Sequence, residues 1–186
     1  MLNDEGAEFC ENCMRMKHVF TEGRSAFIYD GAMRKSIYRF KYNNQREYAE
    51  YFGLAISELL GAKIKSYNPD ALIPVPMHKA KERKRGFNQA NLIARELSRH
   101  IKVPVRDDIV TRKRSTKIMR SLGEKERQNN IKKAFKLKKY SVKLNNVIVV
   151  DDIYTTGTTV DAVAACLKEA GVSNVYFIAL STGKID

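Results

Sequence analysis

The stretch VIVVDDIYTTGTTVDAV, residues 147–163, limits the fold more than any other part of the chain. Val147, Ile148, Val149 and Val150 form an unbroken apolar run, the pattern of a strand buried on both faces rather than on one. Two carboxylates, Asp151 and Asp152, follow at once. Then come Thr155, Thr156, Gly157, Thr158 and Thr159, and after them apolar residues at helical spacing, Val160, Val163, Ala164 and Leu167. A doubly buried strand that passes through a short polar turn into an amphipathic helix is the repeating unit of a parallel α/β sheet. Gly171 is placed to close that helix as its C-terminal glycine.

The same alternation recurs along the chain. Residues 25–29 (SAFIY) read as a strand. Residues 30–42 read as a helix, with Met33, Ile37 and Phe40 on one face, and 48–60 as a second helix. Residues 71–76 (ALIPVP) form a short apolar strand stopped by prolines. The stripe Phe87, Ala90, Ala94, Leu97 and Ile101 predicts a helix over 87–101. A strand at 107–112, a helix at 123–134 and a last buried strand at 175–180 (VYFIAL) complete the set. The expected architecture is α/β, a central and mostly parallel sheet flanked by helices. Residues 1–22 stand apart as a short Cys-containing segment, and residues 23–186 form the main domain.

A chain of 186 residues with 44% hydrophobic content can bury a core of this kind. No apolar run approaches the length of about 18–20 residues that a membrane span needs, and no signal peptide opens the sequence, which points to a cytoplasmic protein. The net charge is +13, and it is concentrated. Residues 112–139 hold twelve Lys or Arg, including Arg112, Lys113, Arg114 and Arg127, against Glu124 and Glu126 alone. Such a block attracts polyanions, either nucleic acid or phosphate-rich small molecules; the plain alternative is a solvated basic loop. Single-stranded DNA is one candidate partner, with Phe135 and Tyr140 as the few aromatics able to stack on bases.

Three cysteines do not make a disulfide framework. Cys10 and Cys13 have metal-ligand spacing, but a closed zinc site needs four ligands. His18 is a candidate third and no fourth is evident, so the expectation is an incomplete, metal-free site. Cys166 falls in an amphipathic helix and reads as a small buried apolar residue.

The chemistry of the opening stretch follows from its order. In open α/β sheets, ligands sit at the carboxyl ends of the strands. Adjacent carboxylates there are tolerated if they face water, accept hydrogen bonds from a polyhydroxyl ligand, or lie near a divalent cation. The Thr/Gly turn at a helix N-terminus points backbone N–H groups, hydroxyls and the positive helix end at one spot, which suits a phosphate. Asp151 and Asp152 for a diol or metal, followed by residues 155–159 for a phosphate, suit a sugar phosphate. Neither a Walker A loop nor a dinucleotide-binding glycine fingerprint is present.

These residues, VIVVDDIYTTGTT, resemble the phosphoribosyl pyrophosphate (PRPP) motif of type I phosphoribosyltransferases. FKY (40–42), PVP (74–76), KRGFNQA (84–90) and the RxxNIxxAF pattern (127–135) resemble, in the same order, the ComF family, a competence-associated group with a phosphoribosyltransferase-like domain. The resemblance covers residues 25–182. It implies PRPP or a related sugar phosphate bound with Mg2+ by Asp151, Asp152, Ile153, Tyr154, Thr155, Thr156, Gly157, Thr158 and Thr159. The two acids would be the catalytic pair facing the ribose. It implies a pyrophosphate loop at 77–85 carrying Lys79, Arg83 and Arg85, and a mobile loop within 112–139 that closes over the site; single-stranded nucleic acid remains the other reading of that segment. It also implies a role in natural competence, in handling incoming single-stranded DNA alongside competence machinery proteins. Whether phosphoribosyl transfer takes place stays open, since no segment reads as a hood for a nucleobase. Met119 stands where the family often has Gln. ComF-like proteins commonly carry a fuller zinc module in front, so this chain reads as one that begins partway through it.

Overall fold

A computed structural model describes residues 18–113, 134–138 and 143–183. Strand β1 (Glu22–Ile28) leads into helices α1 (Gly31–Tyr42) and α2 (Tyr48–Ser66). Strand β2 (Ala71–Pro74) is followed by a short helix α3 (Lys79–Arg85) and by α4 (Gln89–Ile101). Strands β3 (Val110–Arg112) and β4 (Phe135–Leu137) come next, then β5 (Asn146–Tyr154), α5 (Thr158–Glu169) and β6 (Asn174–Thr182).

Four strands form one parallel sheet in the order β1-β6-β5-β2. The two long strands, β5 and β6, lie in the middle, which is why their apolar runs are continuous: Val147, Ile148, Val149 and Val150 are all fully buried. Alternate residues of β5 serve opposite layers. Val147 and Val149 pack with Val160, Val163 and Leu167 of α5 and with Val110 and Phe135. Ile148 and Val150 pack with Ile37 and Phe40 of α1, Phe52 and Ile56 of α2, and Ile93 and Leu97 of α4. Close approach of α2 and α4 depends on Gly53, where a Cβ would lie 2.5 Å from the Glu96 Cβ and 2.8 Å from the Leu97 nitrogen.

The α/β architecture expected from the sequence is the one observed, with differences at particular elements. Helix α2 continues beyond residue 60 to Ser66. The strand expected over 107–112 shortens to Val110–Arg112 and leaves the main sheet, pairing antiparallel with β4. Residues 79–85, read as loop, form α3, capped by the His78 ring and ended by Gly86 in the left-handed region. The prolines at 74 and 76 stop β2, and a run of good helix formers, KAKERKR, follows them. The acid pair is not beyond the strand: β5 carries through Asp151 and Asp152 to Tyr154. The helix expected over 123–134 falls almost wholly outside the described residues, and so does most of the separate N-terminal segment. Among the described residues, no helix is long and apolar enough to cross a membrane.

Candidate functional site

Strand alternation starts the two acids toward different layers of the fold, yet their carboxyls stay close enough to interact. Asp152 shares the face of Ile148 and Val150 and is buried, with 5% exposure. Its Oδ2 is paired with the Nζ of Lys41, and its Oδ1 accepts from Gln89 Nε2 at 3.4 Å. Gln89 Oε1 in turn accepts from Arg85 at 2.6 Å, and the Arg85 guanidinium sits over the Tyr42 ring, 5.2 Å from its centroid. Lys41, Arg85 and Gln89 thus converge on one carboxylate.

Asp151 is only partly exposed. Its Oδ1 accepts from the Asp152 N–H at 2.8 Å. Burial first, and the neighbouring Asp152 second, raise its carboxyl well above the ordinary carboxylate range; Lys41 opposes them. Arg112, at the end of β3, carries its charge near Asp151, while burial lowers its guanidinium from the usual value. The two acids therefore do not face water as one dianionic pair. Each has a cation brought by a different element, Lys41 from α1 and Arg112 from β3.

The turn after β5 is built as expected. Gly157 is the N-cap of α5, with φ 75°, and no side chain caps the helix. The first-turn amides of a helix have no intrahelical acceptor, so here they remain open to a ligand. Thr155 and Thr156 are exposed, Thr158 and Thr159 half-buried, and the Thr156 and Thr158 hydroxyls are 2.9 Å apart. A Cβ on Gly157 would come within 2.7 Å of the Tyr154 hydroxyl and 2.8 Å of the His18 ring. Tyr154 is therefore a prop beneath the loop: its ring is buried and stacks on Phe177 at 4.4 Å. Ile153 packs against the α1/α2/α4 layer. His18 donates or accepts through Nδ1 at 2.8 Å from Asp161 Oδ2, and Asp161 Oδ1 accepts from the Val19 N–H at 2.8 Å. These bonds fix residues 18–19 to the first turn of α5.

The basic residues named from sequence separate into groups. Arg85 belongs to the Asp152 network. Lys79, Arg112, Lys113 and Lys138 line a cavity of about 640 Å³ that begins at Pro74 and Pro76, the carboxyl end of β2. Arg83 is exposed on α3. Arg114, Arg127, Cys10 and Cys13 lie outside the described residues, as do Met119 and Tyr140. The chain leaves at Lys113 and returns at Ala134 beside the cavity, where the Lys113 N–H donates to the Ala134 carbonyl at 2.9 Å. Cys166 is buried in the α5 layer, and burial raises its thiol. Among the described residues, no group of three or more His, Cys, Asp or Glu is gathered to hold a metal ion by itself.

Sequence reasoning missed Lys41 and Gln89 as site residues. The signal for Lys41 was present: it stands four residues after Ile37 and next to Phe40, both fully buried, so it sits at the border of the apolar face of α1. Gln89 had no such mark, because its role depends on where α4 begins.

The geometry agrees with comparisons to known proteins. The phosphoribosyl transferase domain family matches residues 45–185. Competence protein F of Haemophilus influenzae is 32% identical over 175 residues, covering 91% of this chain and 76% of that protein. Competence protein ComFC of Bacillus subtilis is 29% identical over 171 residues, 87% of this chain and 67% of the relative. DNA utilization protein YhgH of Shigella flexneri is 30% identical over 169 residues, 89% and 74% of the two chains. This chain belongs to the phosphoribosyl transferase domain family, in the ComF group.

Proposed function

We propose that the protein binds PRPP, or a related sugar phosphate, together with Mg2+ at the carboxyl end of β5. One observation carries this reading: the end of β5, with the partly buried Asp151, runs through a short turn into an uncapped helix N-terminus at Gly157. The open amides of residues 155–159 would receive the 5′-phosphate, with Thr hydroxyls as further donors. Asp151 and Asp152 would address the ribose hydroxyls. The cavity beside Pro76, with Lys79 and Arg112 on its wall, suits a pyrophosphate.

The donor set fits Mg2+. The available groups are hard carboxylate oxygens, and Mg2+ is commonly held by one or two carboxylates plus substrate phosphates rather than by an all-protein cage. When bound, it would neutralise charge on the departing pyrophosphate. The chain's own residues hold the two ends of the ligand and supply fixed positive charge to the leaving group.

Calorimetry with PRPP and Mg2+ on wild type and Asp151→Asn tests the site. Binding by wild type and its loss in the variant are expected; equal binding by both removes the reading. Pyrophosphate release across a panel of bases and amines then separates a transferase from a binder.

The names of the relatives, competence proteins and DNA utilization proteins, support a role in DNA uptake. Lys113 and Lys138 on the cavity wall, at the foot of the basic segment, favour contact with single-stranded DNA. Fluorescence anisotropy with labelled single strands at two salt concentrations checks this. Absent or salt-insensitive binding counts against it, because phosphate contacts carry a steep salt dependence.

A further inference from the structure

We propose that Lys41 is a built-in counter-ion of Asp152 that keeps the free protein's affinity for a divalent cation low until the sugar phosphate arrives. The proposal rests on the phosphoribosyl reading above and assigns a positioning role within the same site.

Helix α1 delivers Lys41 to the acid pair by geometry. Phe40 and Ile37 bury the inner face of the helix, and Lys41 lies at the edge of that face, in the last turn. From there its ammonium pairs with Asp152, and the two side chains are only 16% and 7% exposed. Gln89 takes the other oxygen of Asp152, and Arg85 holds Gln89. Both oxygens of Asp152 are therefore engaged by the chain itself. Asp151 has one oxygen committed to the Asp152 N–H.

This arrangement bears directly on metal binding. Two adjacent free carboxylates would attract a divalent cation strongly. With Lys41 in contact, the charge of Asp152 is offset, and the ammonium lies against an oxygen a metal would use. Partial burial strengthens the competition, since opposite charges interact more strongly away from water. A metal that cannot take Asp152 must complete its oxygen shell from elsewhere, and the phosphate oxygens of the incoming ligand are the natural source. Lys41 also prevents the alternative of a buried, uncompensated Asp152 when no ligand is present. Metal and sugar phosphate then enter together.

The test uses Mn2+ alone, followed by electron paramagnetic resonance, with no PRPP present. Lys41→Met, and independently Lys41→Gln, should bind Mn2+ about tenfold or more tightly than wild type, the size of effect an opposite charge in contact exerts on a carboxylate. Lys41→Arg should behave as wild type, because it keeps the charge. Unchanged or weaker Mn2+ binding in either neutral variant, with folding verified by circular dichroism, overturns the proposal. Failure of the two readings is distinguishable. If calorimetry shows wild type binding PRPP while the Mn2+ results fail, only the role of Lys41 falls. If wild type does not bind PRPP, the phosphoribosyl reading itself falls.

Discussion

Helices α4 and α5 both start near the carboxyl edge of the sheet, and their first turns are built in opposite ways. Helix α4 is closed by Asn88, whose side-chain oxygen accepts from the Ala90 N–H at 3.1 Å and whose Nδ2 donates to the Val75 carbonyl at 3.0 Å. That buried residue satisfies the helix end and ties it to the chain leaving β2. Helix α5 starts at Gly157, which has no side chain to offer and a left-handed backbone. A capped end is finished by the protein. An uncapped one, placed beside a carboxylate at a strand end, leaves its amides for something else to satisfy.

The comparison breaks most sharply at Gly157. In Gly157→Ala the new Cβ collides with the Tyr154 hydroxyl and the His18 ring, and φ 75° is strained for any L side chain. The strain alone costs about 1–2 kcal/mol. Relief requires the turn to move, and a shift of about 1 Å at a binding loop is worth roughly hundredfold. PRPP affinity by calorimetry should fall by that order, with a lower thermal midpoint. Unchanged affinity would mean the amides of this turn do not hold the phosphate.

The next effect is in pH. Asp151 is raised by burial and by Asp152, with Lys41 opposing. A raised carboxyl favours the protonated form in the folded protein. Its contribution to stability is complete below the unfolded value, about 3.9, and is lost as pH rises through the folded-state value. Ligand affinity has the opposite sign, because a ribose diol or a metal requires the ionised form. Affinity for PRPP with Mg2+ should rise by about tenfold per pH unit below the folded-state value and level off above it. Asp151→Asn should remove the stability slope; a stability profile against pH identical to wild type would assign the titration elsewhere.

The central sheet was legible because burial on both faces leaves a continuous apolar run, which β5 and β6 both show. The turn before α5 was legible for a related reason: glycine and threonine at a strand-to-helix junction depend on local geometry alone. The division of the acid pair was not. Asp151 and Asp152 start toward different layers of the fold, and only the packing shows that their carboxyls stay close enough to interact. Nor were their cations legible. Lys41 and Asp152 are separated by more than a hundred residues, and their meeting depends on how α1 packs across the sheet. The support that Tyr154 gives the turn was not legible either, since its stack on Phe177 joins two strands distant in sequence.

At α4 the expected change is smaller and confined to stability. Asn88→Ala removes one cap bond and leaves the buried Val75 carbonyl without the Asn88 donor. Loss of such a cap costs about 1–2 kcal/mol, read as a lower denaturation midpoint with an unchanged dependence on denaturant. PRPP affinity should stay close to wild type. A large loss of affinity at equal folding would show that α4 also holds the ligand, through Gln89 immediately after the cap.

Helix α1 gives the smallest effect and sharpens the contrast. Asp30 caps it from an exposed position, accepting from the Met33 N–H at 2.8 Å. Asp30→Ala should cost about 0.5–1 kcal/mol, toward the low end because water can replace the lost oxygen. The cap lies at the opposite end of the helix from Lys41, with Ile37 and Phe40 anchoring the turns between them. Fraying of the first turn should therefore stop before it reaches the acid pair, and Mn2+ affinity measured without PRPP should not change. A measurable gain in Mn2+ affinity would instead mean that α1 moves as a rod, carrying Lys41 away from Asp152 when its far end is loosened. The exposed cap would then be part of the same electrostatic device as the lysine.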